Sequence, residues 1–293
     1  MPSDQAADLR RLMRLAGLSP APEAGRSPLL WAVTSGKGGV GVTTVAVNLA
    51  VALGLSGRRT VLVDANLDGP DASALCGTFD GPGLPDVLAA GRSIHEVLRL
   101  GPGGIQLLPG QWADERKDYA TADYAIADYD RLVRELRGLG PHADVVVLDI
   151  GAGQSRLARR FWQAADGVLL VTSPDALSIM NSYAAVKLLR PAAGTLICST
   201  VNLAEDDAAA EVHARLARSC HRFLGQTLIA AGELPFDRLV EQAGSKRVPF
   251  VLERHGDRLT RRVDRLAETL LSLCPAGACI GERNVRPAAF AVS

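Results

Sequence analysis

An apolar run that leads directly into a glycine-rich loop and a helix start constrains this chain more than any other feature. The run is LLWAVT (Leu29–Thr34), the loop is SGKGGVG, and the segment that follows opens with VTT. Glycines let successive backbone N–H groups curve around the oxygens of an anion, and the following helix points its positive end at the same place. The segment therefore predicts a phosphate-binding strand–loop–helix unit.

The alternation of apolar runs and helical segments continues along the chain. Strands are predicted at residues 29–34, 60–63, 105–108, 144–148, 167–172 and 195–200. Helices are predicted between them, for example at residues 43–55, 128–139, 178–189 and 206–223. Most of these strands are apolar at consecutive positions, as strands buried on both faces must be. Repeated β–α units with right-handed crossovers predict a doubly wound, mostly parallel α/β sheet.

The chain divides into four predicted segments, which are a helical arm at 1–18, a linker at 19–28, the α/β domain at 29–275 and a flexible tail at 276–293. In the arm, Leu9, Leu12 and Met13 recur at helical spacing, and arginines occupy the other side. The linker SPAPEAGRSP has three prolines among small residues. The tail has no amphipathic period, so we expect it to fray.

Charge and cysteine content narrow the functional class. The 32 basic and 32 acidic side chains give a net charge of zero, whereas a protein that coats nucleic acid usually leans basic. The five cysteines contain no C-x-x-C pair, which favours neither a disulfide framework nor an iron–sulfur or zinc site. We therefore expect a reduced, cytoplasmic protein. No apolar run approaches the roughly 20 residues that span a bilayer, so we expect membrane contact to be peripheral at most, at the inner face.

The loop fits the phosphate-loop pattern G-x-x-x-x-G-K-[ST] at every position but one. Gly36, Gly41 and Thr43 are in register, and Val42 stands where the pattern has lysine. A second lysine, Lys37, directly follows the first glycine. The predicted nucleotide contacts of the loop are Gly36, Lys37, Gly38, Gly39, Val40, Gly41, Val42, Thr43 and Thr44.

The position of Lys37 resembles the deviant phosphate loop of the MinD/ParA ATPases, in which that lysine reaches across a dimer to the partner's nucleotide. VLVDANLDGPDASALCG resembles the second carboxylate motif of that family, and VVVLDIGAG resembles its Walker B strand and switch. The resemblance covers nearly all of residues 29–273. DQAADLR, at residues 4–10, is similar to the D-Q-A-x-x-L-R motif of the FlhG group, also called FleN or YlxH, which regulates flagellar number and placement.

The resemblance implies ATP and Mg²⁺ as cofactors, and the metal ligands would be Thr43, Asp64 and Asp149. Ser199 stands where relatives carry an asparagine that reads adenine. Carboxylate and hydroxyl oxygens are ligands that Mg²⁺ prefers in proteins. The resemblance therefore implies that the backbone cradle and the metal ligands remain in this chain.

The catalytic positions depart from the family. Val42 replaces the lysine that contacts the β- and γ-phosphates, and Asn66 replaces the aspartate that orients the attacking water. Of the catalytic residues that the resemblance implies, Lys37 and Asp64 remain in this chain. Both substitutions remove a side chain that acts at the γ-phosphate, where charge develops in the transition state. We therefore expect weak or lost ATP binding, very slow or absent hydrolysis, and only a weak homodimer.

The arm is expected to function independently of the loop. In the FlhG group this motif docks on a flagellar GTPase of the signal-recognition-particle type and stimulates it, and a flagellar transcription regulator is a second partner class. Gln5 is the residue predicted to act on the partner GTPase, because a glutamine amide both donates to and accepts from an attacking water. The alternative is that the arm covers its own domain.

Two other functions stay open from the sequence. One is an active ATPase in which Lys37, supplied in trans, replaces the missing lysine at Val42. The other is a ParA-type DNA-partitioning protein, for which residues 245–266 are locally basic. Such arginines are more often solvated and paired with neighbouring acids, so DNA is the less favoured partner.

Three Asp-Tyr pairs recur at five-residue spacing between residues 118 and 129. This spacing does not keep side chains on one face of a helix. We therefore interpret this stretch as a solvated loop and helix start, and not as an aromatic stacking surface.

Overall fold

A computed structural model of the protein describes residues 27–67, 69–78, 81–111, 124–152, 155–189, 194–253 and 256–274. The predicted arm, including Gln5, lies outside the described residues. So do the linker as far as residue 26 and the tail from residue 275. The predictions made for those segments therefore stay predictions.

An eight-stranded sheet forms the centre of the described structure, in the order β3-β4-β2-β5-β1-β6-β7-β8. Its strands are β1 Leu29–Thr34, β2 Thr60–Asp64, β3 Arg99–Leu100, β4 Gln106–Leu108, β5 Val145–Asp149, β6 Gly167–Thr172, β7 Leu196–Asn202 and β8 Ile229–Leu234. Neighbouring strands are parallel, except that β3 is antiparallel to β4. The prediction of a doubly wound, mostly parallel sheet is confirmed.

Helices cover both faces of this sheet. They are α1 Val42–Leu55, α2 Asp71–Leu75, α3 Leu84–Leu88, α4 Ile94–Val97, α5 Ile126–Arg137, α6 Arg156–Ala164, α7 Ala176–Leu189, α8 Asp206–Leu224, α9 Arg238–Lys246, α10 Phe250–Glu253 and α11 Arg258–Leu273. A short 3-10 turn lies at Pro102–Gly104. None of the helices in the described part of the chain is long and apolar enough to span a membrane.

The alternation of side chains along the strands produces two apolar cores. In β1, Leu30 packs into the core under α3 to α8, and the next residue, Trp31, packs into the core under α1 and α11. α1 has no charged residue and is buried at ten positions, so it lies almost wholly inside the second core. Because β1 lies between β5 and β6, its loop opens where the strand order changes direction, which is where such sheets bind ligands.

Two strands were missed by the sequence patterns. β8 has the sequence IAAGEL, whose alanines and glycine have little strand propensity, and it is held by pairing with β7 and by packing against α11. β3 has only two residues. The predicted strands and helices are present, with ends displaced by a few residues at most.

The interpretation of the Asp-Tyr stretch was right about a helix start, since α5 begins at Ile126, but wrong about the solvation of its described tyrosines. Tyr124 and Tyr129 are buried, with exposed fractions of 9% and 7%. Their rings meet edge to face, with centroids 6.2 Å apart. Tyr129 is on α5, whose apolar side packs into the core with Leu132, so tertiary packing buries residues that spacing alone left in solvent. Tyr119 lies outside the described residues.

Candidate functional site

The loop between β1 and α1 needs its glycines for two different reasons. Gly39 and Gly41 have φ angles of +80° and +89°, in the left-handed region that residues with a Cβ rarely adopt. Gly36 instead lies against α7, where an added Cβ would be 2.0 Å from the carbonyl oxygen of Asn181. The loop is therefore curved by two glycines and seated on a neighbouring helix by a third.

A side chain from β7 fixes the far end of the loop. The Asn202 amide nitrogen donates to the carbonyl oxygen of Val40 over 2.8 Å. Within the loop, the Ser35 hydroxyl donates to the carbonyl oxygen of Lys37 over 2.7 Å. These bonds use carbonyl groups and leave the loop's N–H groups directed elsewhere, as an anion cradle requires.

Two carboxylates meet at the ends of neighbouring strands beside this loop. Asp64 on β2 and Asp149 on β5 are register partners, and both are fully buried. The Ser73 amide and hydroxyl donate to Oδ2 of Asp64 over 2.8 and 2.6 Å, and the Gly151 amide donates to Oδ1 of Asp149 over 3.2 Å. Oδ1 of Asp64 has no hydrogen-bond partner among the described residues.

Burial makes both carboxylates hold their protons more tightly. Burial raises the pKa of Asp64 to about 7, and the nearby Asp149 adds to the rise, while the hydrogen bonds from Ser73 oppose it. Burial likewise raises the pKa of Asp149 to about 6, against the hydroxyl of Thr43 and the amide of Gly151. Thr43, Asp64 and Asp149 thus lie beside one another, and their role as metal ligands stays a prediction.

This set fits Mg²⁺. It offers hard oxygen ligands, and one oxygen of each carboxylate, Oδ1 of Asp64 and Oδ2 of Asp149, is buried without a hydrogen bond among the described residues. A divalent cation would also relieve the repulsion between the two carboxylates, which is one cause of the raised pKa of Asp64. The Thr43 hydroxyl, which lies beside Asp149 and opposes the rise of its pKa, would complete the ligand set.

A cavity of about 1080 Å³ opens over the loop. Its walls are the loop itself, the segments after β2 and β5, two tyrosines and the end of α9. The lining residues are Gly36, Gly38, Gly39, Gly41, Val42, Thr43, Thr44, Ala65, Asn66, Leu67, Asp71, Ala74, Leu75, Tyr124, Tyr129, Ile150, Gly151, Ala152, Ser155, Leu157, Gly244 and Arg247. Seven of the nine predicted loop contacts therefore line one cavity with Asn66.

The side chains at the two substituted positions, Val42 and Asn66, both contact neighbouring residues of the fold. Val42 is 6% exposed and packs in the apolar core with Val45 and Ala46. The Asn66 amide donates to the carbonyl oxygen of Gly69 over 2.8 Å. Neither side chain carries a charge into the cavity.

Lys37 is not among the residues that line the cavity. Its ammonium group lies 3.2 Å from Oδ1 of Asp175, which follows β6. The Ser173 hydroxyl, the Ser178 amide and Lys37 together lower the pKa of Asp175 to about 2. The lysine is therefore held within its own chain, by a carboxylate that stays charged.

Ser199, the predicted adenine contact, does not line the cavity. It is 1% exposed, and its hydroxyl lies 2.7 Å from Nδ1 of His213 on α8. Burial lowers the pKa of His213, which favours the neutral ring. The β7 side chain that contacts the loop is Asn202, three residues further on.

Sequence reasoning missed four residues of this site, which are Asp71, Asp175, Asn202 and Arg247. Asp175 and Asn202 carried a usable signal, because polar residues at the carboxyl ends of parallel strands lie on the ligand-binding edge. Asp71 and Arg247 carried none, since they reach the cavity from α2 and from the end of α9.

Comparisons with known proteins agree with this geometry. A ParA family model, described as NUBPL iron-transfer P-loop NTPase, matches residues 29–88. The antiactivator FleN of Pseudomonas aeruginosa is 34% identical over 74% of this chain and 76% of its own length. The flagellum site-determining protein YlxH of Helicobacter pylori is 26% identical over 84% of this chain and 83% of its own length.

Solved structures share the fold. The septum site-determining protein MinD of Pyrococcus horikoshii, complexed with Mg-ADP, has a TM-score of 0.70 and 23% identity, over 87% of this chain and all of that one. The cell division ATPase MinD of Pyrococcus furiosus has the same TM-score and identity, over 84% of this chain and 99% of that one. The chain therefore belongs to the MinD/ParA family of P-loop NTPases, among the relatives of FleN and YlxH.

Proposed function

We propose that this protein is an FlhG-type regulator of flagellar number and placement, which binds a nucleotide weakly and hydrolyses ATP very slowly or not at all. It acts through its DQAADLR arm on a flagellar GTPase of the signal-recognition-particle type. The observation that carries the proposal is the cavity over the glycine loop, which Thr43 lines beside the buried Asp64 and Asp149 and into which Val42 and Asn66 bring no charge. The FleN and YlxH relatives support the flagellar role.

Binding and hydrolysis should be affected unequally. A lysine charge about 4 Å from a phosphate is worth very roughly 4 kcal/mol at an effective dielectric near 20, less its desolvation. The loss of a water-positioning base typically costs about 10² to 10⁴ in rate. Nucleotide binding keeps the loop amides, Thr43, Asp64 and Asp149, so it falls less than hydrolysis.

The residues of the site have separable roles in this proposal. The loop N–H groups and the start of α1 bind phosphate oxygens, and Thr43, Asp64 and Asp149 hold Mg²⁺. The metal would supply positive charge at the phosphates. Asn66 can donate a hydrogen bond to a water but cannot take its proton, so no described side chain at that position acts as a base.

The arm supplies the activity toward the partner. Leu9, Leu12 and Met13 give it an apolar stripe that a groove on the partner can receive. A helix of about 15 residues is marginal alone in water, so we expect the arm to order on binding. Gln5 would orient the attacking water in the partner's GTP site.

A peptide of residues 1–24 tests the arm directly. We expect it to stimulate GTP hydrolysis by the partner GTPase, and Gln5→Ala should abolish stimulation while leaving binding largely intact. For Gln5→Ala made in the full chain, the matched control is Gln226→Ala, because Gln226 follows α8 and lies far from the arm in sequence. Equal stimulation by the Gln5→Ala peptide would remove the catalytic role of Gln5, and absence of binding would remove the partner.

An active ATPase is the second candidate, and the reach of Lys37 favours it. The lysine and Asp175 are exposed at 36% and 46%, so the pair can open without disturbing the core. A turnover typical of active relatives, lost in Lys37→Ala, would establish this alternative.

The DNA-partitioning alternative has less support. Lys246 contacts Glu253 over 2.7 Å, and Arg262 contacts Asp206 over 2.7 Å and also Glu233. These ion pairs neutralise much of the basic segment that suggested DNA. Steep salt dependence of binding to random duplex would support this alternative instead.

A further inference from the structure

The end of α9 brings a positive charge to the nucleotide cavity. Arg247 lines the cavity together with Thr43 and Thr44, although it lies about 200 residues further along the chain. Of the described residues that line the cavity, Arg247 alone is cationic and Asp71 alone is anionic. Lys37 is held by Asp175 and does not line it.

The backbone at Arg247 is unusual for an arginine. Its φ of +59° is in the left-handed region, where it ends α9. The Arg247 amide donates to Gly244, and the Val248 amide donates to Ala243 over 3.1 Å, which is the common helix-ending motif. Glycine or asparagine usually fills this position, because most residues with a Cβ rarely adopt the left-handed conformation. A conformation that glycine would adopt more readily is therefore given to a residue with a long cationic side chain.

We propose that Arg247 binds the phosphates of the nucleotide, so that a cation from the end of α9 replaces the lysine missing at Val42. Arginine suits this role, because its planar guanidinium donates two parallel hydrogen bonds to phosphate oxygens. The inference rests on the nucleotide binding in the proposed function and adds the residue that holds the phosphates. It requires no change in the loop.

Isothermal titration of the full chain with Mg-ADP tests this assignment. Arg247→Asn removes the charge and keeps a residue that tolerates the left-handed backbone. We expect it to weaken binding roughly tenfold, and Arg247→Lys, which keeps the charge but not the two parallel hydrogen bonds, to weaken binding less than Arg247→Asn. Arg238→Asn is the matched control, because Arg238 is an exposed arginine at the other end of α9 that does not line the cavity.

A double-mutant cycle ties the effect to the missing lysine. With Val42→Lys present, the phosphates already have a cation, so Arg247→Asn should cost clearly less than in the natural chain. Equal losses in both backgrounds would show that Arg247 does not replace that lysine. Adenosine, which has no phosphate, should bind Arg247→Asn and the natural chain equally well, and an equal loss with adenosine would indicate a structural effect and overturn the proposal.

A variant of Asp71 distinguishes two roles of Arg247, which are binding the phosphates and forming a structural ion pair with Asp71. Removing its charge by Asp71→Asn should strengthen Mg-ADP binding, since a carboxylate in the cavity repels phosphate. If Arg247 serves only to pair with Asp71, Asp71→Asn should instead weaken binding as Arg247→Asn does.

The same titration distinguishes a failure of the proposed nucleotide binding from a failure of the role of Arg247. A natural chain that binds neither Mg-ADP nor Mg-ATP would overturn the proposed nucleotide binding, and the present inference with it. Clear Mg-ADP binding that Arg247→Asn leaves unchanged would overturn the role of Arg247 alone.

Discussion

The ammonium group of Lys37 lies 3.2 Å from Oδ1 of Asp175, which is 138 residues further along the chain. The same carboxylate accepts the amide of Ser178 over 2.9 Å and the hydroxyl of Ser173 over 2.7 Å. The lysine that would act across a dimer is therefore anchored to the start of α7. It must leave this anchor before it can reach a second subunit.

The first prediction follows from that anchor. The natural chain should form only a weak dimer with ATP and Mg²⁺, because contacts to the γ-phosphate are reduced. Asp175→Asn keeps the hydrogen bond to Ser178 and releases Lys37, so it should tighten the dimer by about two- to fivefold. Analytical ultracentrifugation with and without ATP measures this, and Lys37→Ala is the control.

Two outcomes would contradict this prediction. A strong ATP-driven dimer of the natural chain would show that the γ-phosphate contacts are intact. An Asp175→Asn chain that dimerises as poorly as Lys37→Ala would show that Asp175 positions Lys37 for its partner and does not restrain it.

The second prediction separates binding from turnover. Val42→Lys should strengthen nucleotide binding more than it raises ATP turnover, because Asn66 still cannot act as a base. Adding Asn66→Asp should then raise turnover by about 10² or more. Phosphate release gives the rates and titration gives the affinities. Full turnover in Val42→Lys alone would show that Asn66 is not limiting.

The third prediction concerns two glycines of the loop. Gly36→Ala places a Cβ 2.0 Å from the backbone oxygen of Asn181, so the loop or α7 must shift. We expect a loss of about 2–3 kcal/mol in the free energy of unfolding. Gly38→Ala is the matched control, because nothing lies within 4 Å of its added Cβ. Equal urea midpoints for the two variants would contradict the close contact.

The fourth prediction is a pH dependence. The pKa of Asp64 is about 7 in the folded chain, above its ordinary value of about 3.9, so the folded state binds the extra proton. Without Mg²⁺, stability should therefore be full below about pH 4 for this group and should fall as the pH rises through about 7. Asp149, with a folded pKa of about 6, acts in the same direction.

Asp64→Asn tests the origin of that slope. It keeps an acceptor for Ser73 and removes one buried charge, so near pH 8 it should raise the free energy of unfolding, on the order of 2 kcal/mol. Mg²⁺ should stabilise the natural chain near pH 8 and should stabilise Asp64→Asn much less. Thermal melts across pH measure both effects, and parallel pH profiles for the two proteins would contradict the assignment.

The parts of the fold that the sequence predicted are those with strong local patterns. β1, β2, β5 and β6 each contain a run of consecutive apolar residues, and such runs are buried on both faces in a parallel sheet. β8 was missed because Gly232 and two alanines give no strand pattern, and its place depends on β7 and α11. Long-range packing decided what local propensity could not.

The residues of the site also fall into two groups, those in a local sequence motif and those placed by long-range packing. Thr43, Asp64 and Asp149 could be predicted because each ends or follows a strand in a recognisable motif. Arg247 could not, since its position depends on how α9 lies beside α2, where a Cβ added at Gly244 would be 4.0 Å from the side chain of Leu75. Ser199 was placed by its family position alone, and its contact with His213 depends on α8.

The burial of Val42 makes one residue serve both the apolar core and the phosphate loop. Its side chain is 6% exposed in the core that holds α1, so a lysine at this position would give up apolar burial worth on the order of 1–2 kcal/mol. It would also bring a second cation to the cavity that Arg247 lines. The charge of the loop therefore cannot be changed at this position without changing the stability of the fold.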